Sequence, residues 1–139
     1  MKKFVLLLLV LVAGALFFVA YNFLSFDDTC QNEVLSELAN PNGQVKAVIF
    51  QRNCGATTGF STQVSIIEFG HELKNVGGNV LVADTNHGEA PSDENGGPKV
   101  EADWIGNKNL KLSYHPKART FTKVTSFNDI QITYEEIEQ

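Results

Sequence analysis

Residues Gln51 to Phe69 read QRNCGATTGFSTQVSIIEF, two strand-like runs joined through the polar loop Cys54-Gly55-Ala56-Thr57-Thr58-Gly59. Upstream, Gln44 to Arg52 alternates Val45, Ala47 and Ile49 against Lys46, Val48 and Phe50. That two-residue period, rich in β-branched and aromatic residues, predicts a strand with both faces at least partly covered. Downstream, Ser61 to Phe69 puts Gln63, Ser65, Ile67 and Phe69 on one face and Thr62, Val64, Ile66 and Glu68 on the other, a second strand. Gly55 and Gly59 let the backbone turn between them. A connection of about eight residues exceeds the usual hairpin loop, so this one is expected to be functional or covalently tied.

The chain has 139 residues and a net charge of -5, room for one targeting segment and one modest domain. Beyond Asp28 the balance stays mildly acidic with no lysine or arginine cluster, so no nucleic-acid partner is expected.

Met1-Lys2-Lys3 precedes an apolar run from Phe4 to Tyr21 that continues through Phe23 and Leu24 with only Asn22 between. About 20 apolar residues are what a helix needs to cross the hydrocarbon. Residues 4–24 are therefore expected to be a single transmembrane helix, within an anchor spanning 1–26 and followed by a domain over 27–139. A cleaved signal is the competing reading: Ala13-Gly14-Ala15 resembles a cleavage site, but the apolar run continues past it. A lipid anchor needs small residues before the cysteine, and Asp27-Asp28-Thr29 precede Cys30. Lys2 and Lys3 on one side and Asp27 and Asp28 on the other orient the amino terminus to the cytoplasm by the positive-inside rule. The domain is thereby expected in the periplasm or outside the cell, on a single-pass protein of the cell membrane.

That compartment sets how the two cysteines read. Cys30 and Cys54 both lie in the exported part, where an even pair persists as a disulfide. Closing about 24 residues of chain is worth about 3 kcal/mol in the loop-entropy account. A reactive Cys54 thiol is the alternative. It needs a base or cation beside it, and none of His71, His87 and His115 has a spacing that places it there.

After Asp27-Asp28-Thr29, which supply N-cap types, Cys30 to Ala39 carries Cys30, Val34, Leu35 and Leu38 as one apolar stripe. This predicts a short amino-terminal helix, stopped by Asn40-Pro41-Asn42-Gly43 and packed on the sheet. Further strands are expected at Asn79 to Asp84, Lys99 to Trp104, Leu110 to Tyr114 and Asp129 to Glu135, with a short one at Thr120 to Thr125. Asp84 to Pro98 is nearly free of large apolar residues and is expected to be a mobile loop. Asp84-x-Asn86-x-Gly88 has the outline of a calcium loop but lacks a carboxylate at its twelfth position, so no metal is expected. The fold class is mainly β: an antiparallel sheet or small open barrel with one short helix on it. Phe50, Phe60, Phe69, Trp104, Phe121 and Phe127 are read as core and edge packing.

The combination Asn40-Pro41-x-Gly43, Ala47-Val48-x-Phe50-x-Arg52-x-Cys54-Gly55-Ala56-Thr57-Thr58 and Ser61-Thr62-x-Val64-Ser65-Ile66 resembles a family of small bacterial envelope proteins of unknown function. The resemblance covers residues 28 to 70 well, and Trp104 with Leu110 to Tyr114 more loosely. It implies an exported or membrane-anchored chain and this architecture, but no reaction.

No nucleophile elbow, phosphate loop, dinucleotide fingerprint or zinc-ligand pair is present, so neither catalytic residues nor a cofactor are expected. The candidate binding loop consists of Arg52, Gly55, Thr57, Thr58 and Ser61. Its hydroxyls either fix the loop's own shape or meet an envelope protein or glycan, with Arg52 as an anion contact. The leading reading is a non-enzymatic, membrane-anchored binding domain whose contact surface is the 54–60 loop. The alternatives are a small envelope thiol enzyme or redox protein using Cys54, and an inhibitor or immunity protein against a secreted hydrolase.

Overall fold

In the computed structural model, residues 1, 4–5, 11–18, 30–55 and 58–138 are described. The remaining positions, among them Ala56, Thr57 and most of the expected membrane span, lie outside the described residues. Residues 4–5 and 11–18 are helical and exposed, and among the described residues no helix is long and apolar enough to cross a membrane.

Among the described residues nine strands follow Cys30: β1 (Gln31–Ala39), β2 (Val45–Asn53), β3 (Ser61–Glu68), β4 (Leu81–Asp84), β5 (Val100–Trp104), β6 (Asn109–Tyr114), β7 (Arg119–Lys123), β8 (Ser126–Phe127) and β9 (Ile130–Glu136). They form a five-stranded sheet in the order β1-β2-β3-β4-β7 and a four-stranded sheet in the order β5-β6-β9-β8. Every neighbouring pair is antiparallel except β6 with β9. The expected single sheet or open barrel is thus two layers. Ala47, Ile49, Val64 and Ile66 of the first pack in one core cluster with Ala102, Leu110, Leu112 and Ile132 of the second.

The expected helix over Cys30 to Ala39 is instead β1, paired with β2 from Gln31 opposite Asn53 to Ala39 opposite Lys46. A helix of ten residues is marginal by itself, whereas β2 offers nine residues of edge to pair with. The misleading apolar spacing has a local origin. The ladder slips between Val34 and Ser36, so Leu35 is an extra, bulged residue and the strict two-residue alternation is lost. The expected disulfide is formed: Cys30 and Cys54 follow the last pair of that ladder, with their Cα atoms 3.8 Å apart. It joins two neighbouring strands, not a helix to a sheet.

Both faces of β2 are covered, as its composition predicts. Ala47 and Ile49 face the second sheet, while Val48 and Phe50 on the opposite face are also fully buried. They lie beneath the connection after β3, which is tied to that outer face. Asn32 Nδ2 donates to the carbonyls of Lys74 and Val76 (3.1 and 2.8 Å), and Gly78 N donates to Gln63 Oε1 (2.6 Å). Asn79 bonds Ser65 and both backbone groups of Ile66. The connection ends before β4, and there the outer face opens.

Candidate functional site

The register of the first sheet assembles the site. Asn32 pairs with Arg52, Arg52 with Ser61, Ser61 with Asp84 and Asp84 with Arg119. Directly opposed residues point to the same side of a sheet, so these five side chains form one polar row across the outer face. The row's first half is closed. Arg52 is 8% exposed, and its Nη1 donates to Asn32 Oδ1 (2.7 Å) and Asn75 Oδ1 (3.4 Å). Its second half, with Arg52 at one margin, floors a cleft of about 620 Å3 between Cys54, Thr58, Gly59 and Phe60 on one side and the β4–β7 edge on the other. That volume lies within the range of about 300–1,000 Å3 typical of ligand sites.

One wall is the loop singled out in the sequence. Asn53 Oδ1 accepts the Gly55 amide (3.0 Å), and both the amide and the hydroxyl of Thr58 donate to the Gly55 carbonyl (3.2 Å each). Gly55 has φ +102°, a conformation that favours glycine. Ser61 Oγ donates to the Arg52 carbonyl (3.4 Å) and accepts from Gln63 Nε2 (2.8 Å). Thr58 and Ser61 therefore fix the wall's shape through local bonds. Thr57 lies outside the described residues. Phe60 completes the wall, 41% exposed, resting on Gly96, where an added Cβ would stand 2.6 Å from the ring.

The other wall comes from residues to which the sequence assigned no binding role. Arg119 bonds the Asp84 carboxylate with two nitrogens, Nε to Oδ1 (3.2 Å) and Nη2 to Oδ2. Its third nitrogen, Nη1, lies 3.3 Å from His87 Nε2. Arginine only donates, so this contact is a hydrogen bond in the tautomer whose Nε2 is bare. The Asp84 Oδ1 also accepts the Asn86 amide (2.8 Å). Burial pushes this carboxyl up, but the Arg119 bond, the Asn86 amide and the Arg119 charge, with His87 adding its own when protonated, outweigh it and hold it below its ordinary value.

His87 is aimed by a tight turn. Asn86 and His87 both have positive φ (51° and 57°), and the Gly88 amide closes on the Thr85 carbonyl (3.1 Å). Two consecutive non-glycine residues at positive φ are uncommon. Phe121 is aimed by a bulge: Val82 pairs with Thr122 but Ala83 with Thr120, leaving Phe121 as the extra residue. Its ring, 62% exposed, has the Arg119 guanidinium carbon 4.8 Å from its centroid.

Two sequence expectations change here. Asp84 to Pro98 is folded back on the domain, with Ala90 1% exposed, Pro98 fully buried, and Ser92 bridged to Pro98. Phe50 is fully buried on the outer face, and Trp104 and Phe127 pack against the core cluster between the sheets, but Phe60, Phe69 and Phe121 are exposed, two of them in the cleft. The acidic outline at Asp84 faces a guanidinium, and no group of three or more His, Cys, Asp or Glu side chains able to hold a metal occurs among the described residues. The Asx-type spacing Asp84-x-Asn86 did signal a tight turn. Nothing local links it to Arg119, 35 positions away.

A second hollow of similar size runs under Leu73 and Val76 toward Phe127. It holds the exposed Glu68–His71 contact (3.2 Å) in place of an arginine–aspartate pair, and Phe127 is its one phenylalanine among the described residues. Both cysteines are engaged in the disulfide, so the described structure presents no free thiol. No protein-family model, curated protein or solved structure matches this chain.

Proposed function

We propose that this chain is a non-enzymatic binding module of the bacterial envelope. It is held at the membrane through residues 4–24, with its amino terminus cytoplasmic and its β-domain outside, and it takes its partner in the cleft bounded by the 54–60 loop. The observation that carries this reading is the cleft itself. A bulge and a positive-φ turn point Phe121 and His87 at a charge pair on an otherwise ordinary sheet face, and the Cys30–Cys54 bridge holds the opposing wall. Local irregularity that re-aims side chains is typical of functional sites. The lysine–aspartate asymmetry around the apolar run and the bridge, which persists in oxidising compartments, support the location. No observation favours the thiol reading, since Cys54 is already bonded.

The test uses immobilised full-length chain against bacterial envelope fractions. The wild type is expected to retain envelope material that Asp84→Ala with Arg119→Ala, folded by its amide spectrum, does not. Equal retention by both would show that contact is made elsewhere. A carboxy-terminal alkaline phosphatase fusion checks the placement, and an inactive fusion contradicts it.

A further inference from the structure

Resting on that reading of the cleft, we infer that its ligand is a neutral pyranose oligosaccharide, with one sugar ring on the Phe121 face and its adjacent hydroxyls on the Asp84–Arg119 pair. Charge is the first discriminator. All three nitrogens of Arg119 are engaged, two on Asp84 and one beside His87. Of its five N–H groups, those three contacts leave one on Nη1 and one on Nη2. A carboxylate or phosphate is gripped by a two-pronged guanidinium, and here Asp84 occupies the Nε–Nη2 side of it. An anion would meet a guanidinium already neutralised and would sit against the Asp84 carboxylate, which is held charged.

A sugar hydroxyl asks for something different. It donates one hydrogen bond and accepts others, and neighbouring hydroxyls on a pyranose present this demand side by side. A carboxylate locked beside a guanidinium answers with an acceptor and a donor at fixed separation. Asp84 is fixed by the Asn86 amide and Arg119 by His87, so little ordering remains to be done on binding. Hydroxyls of Thr58, Ser61 and Thr85 border the same space.

The apolar contact fits as well. A pyranose has a face of C–H bonds, and Phe121, a residue 62% exposed, offers the side of its ring turned away from the Arg119 guanidinium, with Phe60 across the cleft. Such rings supply apolar contact area with few torsions to freeze. An extended peptide suits this surface less. Peptides that join sheets do so by backbone bonds along an edge strand, whereas the floor here is a sheet face, where Ser61, Val82 and Asp84 present side chains.

The experiment titrates isotope-labelled full-length chain, in a detergent without a sugar headgroup, with cellotetraose, chitotetraose, maltotetraose and mannotetraose. At least one is expected to shift the amides of Thr85 to Gly88 and Phe121 saturably, with an affinity unchanged by added salt because no net charge is paired. Phe121→Ala is expected to weaken it by about tenfold or more with no change in melting temperature, and Ile105→Ala, exposed on the β5–β6 turn, to leave it intact. No saturable shift from any sugar, shifts confined to other surfaces, or undiminished binding by Phe121→Ala would each overturn the inference. A parallel titration with mixed octapeptides separates the two readings. Peptide shifts at these amides without sugar shifts leave the cleft as the contact surface but not for glycans, and silence from both removes the cleft as well.

Discussion

The outer face of the five-stranded sheet has two halves built from the same row of register partners, and they differ in what lies over them. Over β2 and β3 the 70–79 connection is pinned by Asn32, Gln63 and Ser65, so Val48 and Phe50 are fully buried and Arg52 is enclosed. Over β4 and β7 no connection is tied down in this way among the described residues, and the 85–96 segment borders the face at Thr85, His87 and Gly96. Asp84, Arg119 and Phe121 are left around a cleft, with the Arg119 side chain 41% and the Asp84 side chain 20% exposed. Strands of one sheet thus serve two purposes: the covered half supplies a second apolar layer, and the open half supplies groups with capacity to bind.

The largest effect that tests this division is in the covered half. Phe50→Ala removes a ring with no exposure, and the loss of transfer energy plus the cavity is expected to cost about 3–5 kcal/mol in chemical denaturation. A cost near that of a surface substitution would show that the 70–79 connection does not bury it.

Next comes the bridge that both halves share. Replacing Cys30 and Cys54 together by serine frees a span of 24 residues and is expected to cost about 3 kcal/mol. The peptide-amide signals of Gly55 to Ser61 should broaden at the same time, since one cleft wall hangs on that link. If the double variant melts with the wild type, the ladder from Gln31 to Ala39 holds β1 unaided.

The smallest effect lies in the open half. Asp84→Asn is expected to cost about 1 kcal/mol or less at neutral pH, because its ion pair is partly solvated. Its sign with pH is definite. The folded carboxyl titrates below its ordinary value, so its contribution is present above that value and is lost as pH falls through the depressed one. Wild type and Asp84→Asn should therefore differ in denaturation at pH about 7 and converge at strongly acidic pH, below the usual carboxylate range of about 3.9. Curves that stay parallel would mean the Arg119 contact does not persist in solution.

Much of one cleft wall was legible before any coordinates. The Cys-Gly-Ala-Thr-Thr-Gly loop between two alternating runs marked itself by length and glycine placement, and the cysteine pair followed from its even number and the expectation of export. The other wall was not legible, for a physical reason. Asp84 and Arg119 belong to strands that pair only because the chain leaves the first sheet for β5 and β6 and returns as β7. Phe121 looked like core because an aromatic at an alternating position normally is, and the bulge that turns it outward depends on its partner strand.

Local composition alone therefore determined the alternating strands, the tied loop and the apolar leading run, because side-chain periodicity and turn residues act within a few positions of themselves. Only the tertiary structure decided that Gln31 to Ala39 is a strand, that the sheet is two sheets, and that Asp84, His87, Arg119 and Phe121 share one cleft. Those outcomes rest on pairing between distant segments. Such pairing competes against local preference and wins where an unpaired strand edge and a buried face can both be satisfied at once.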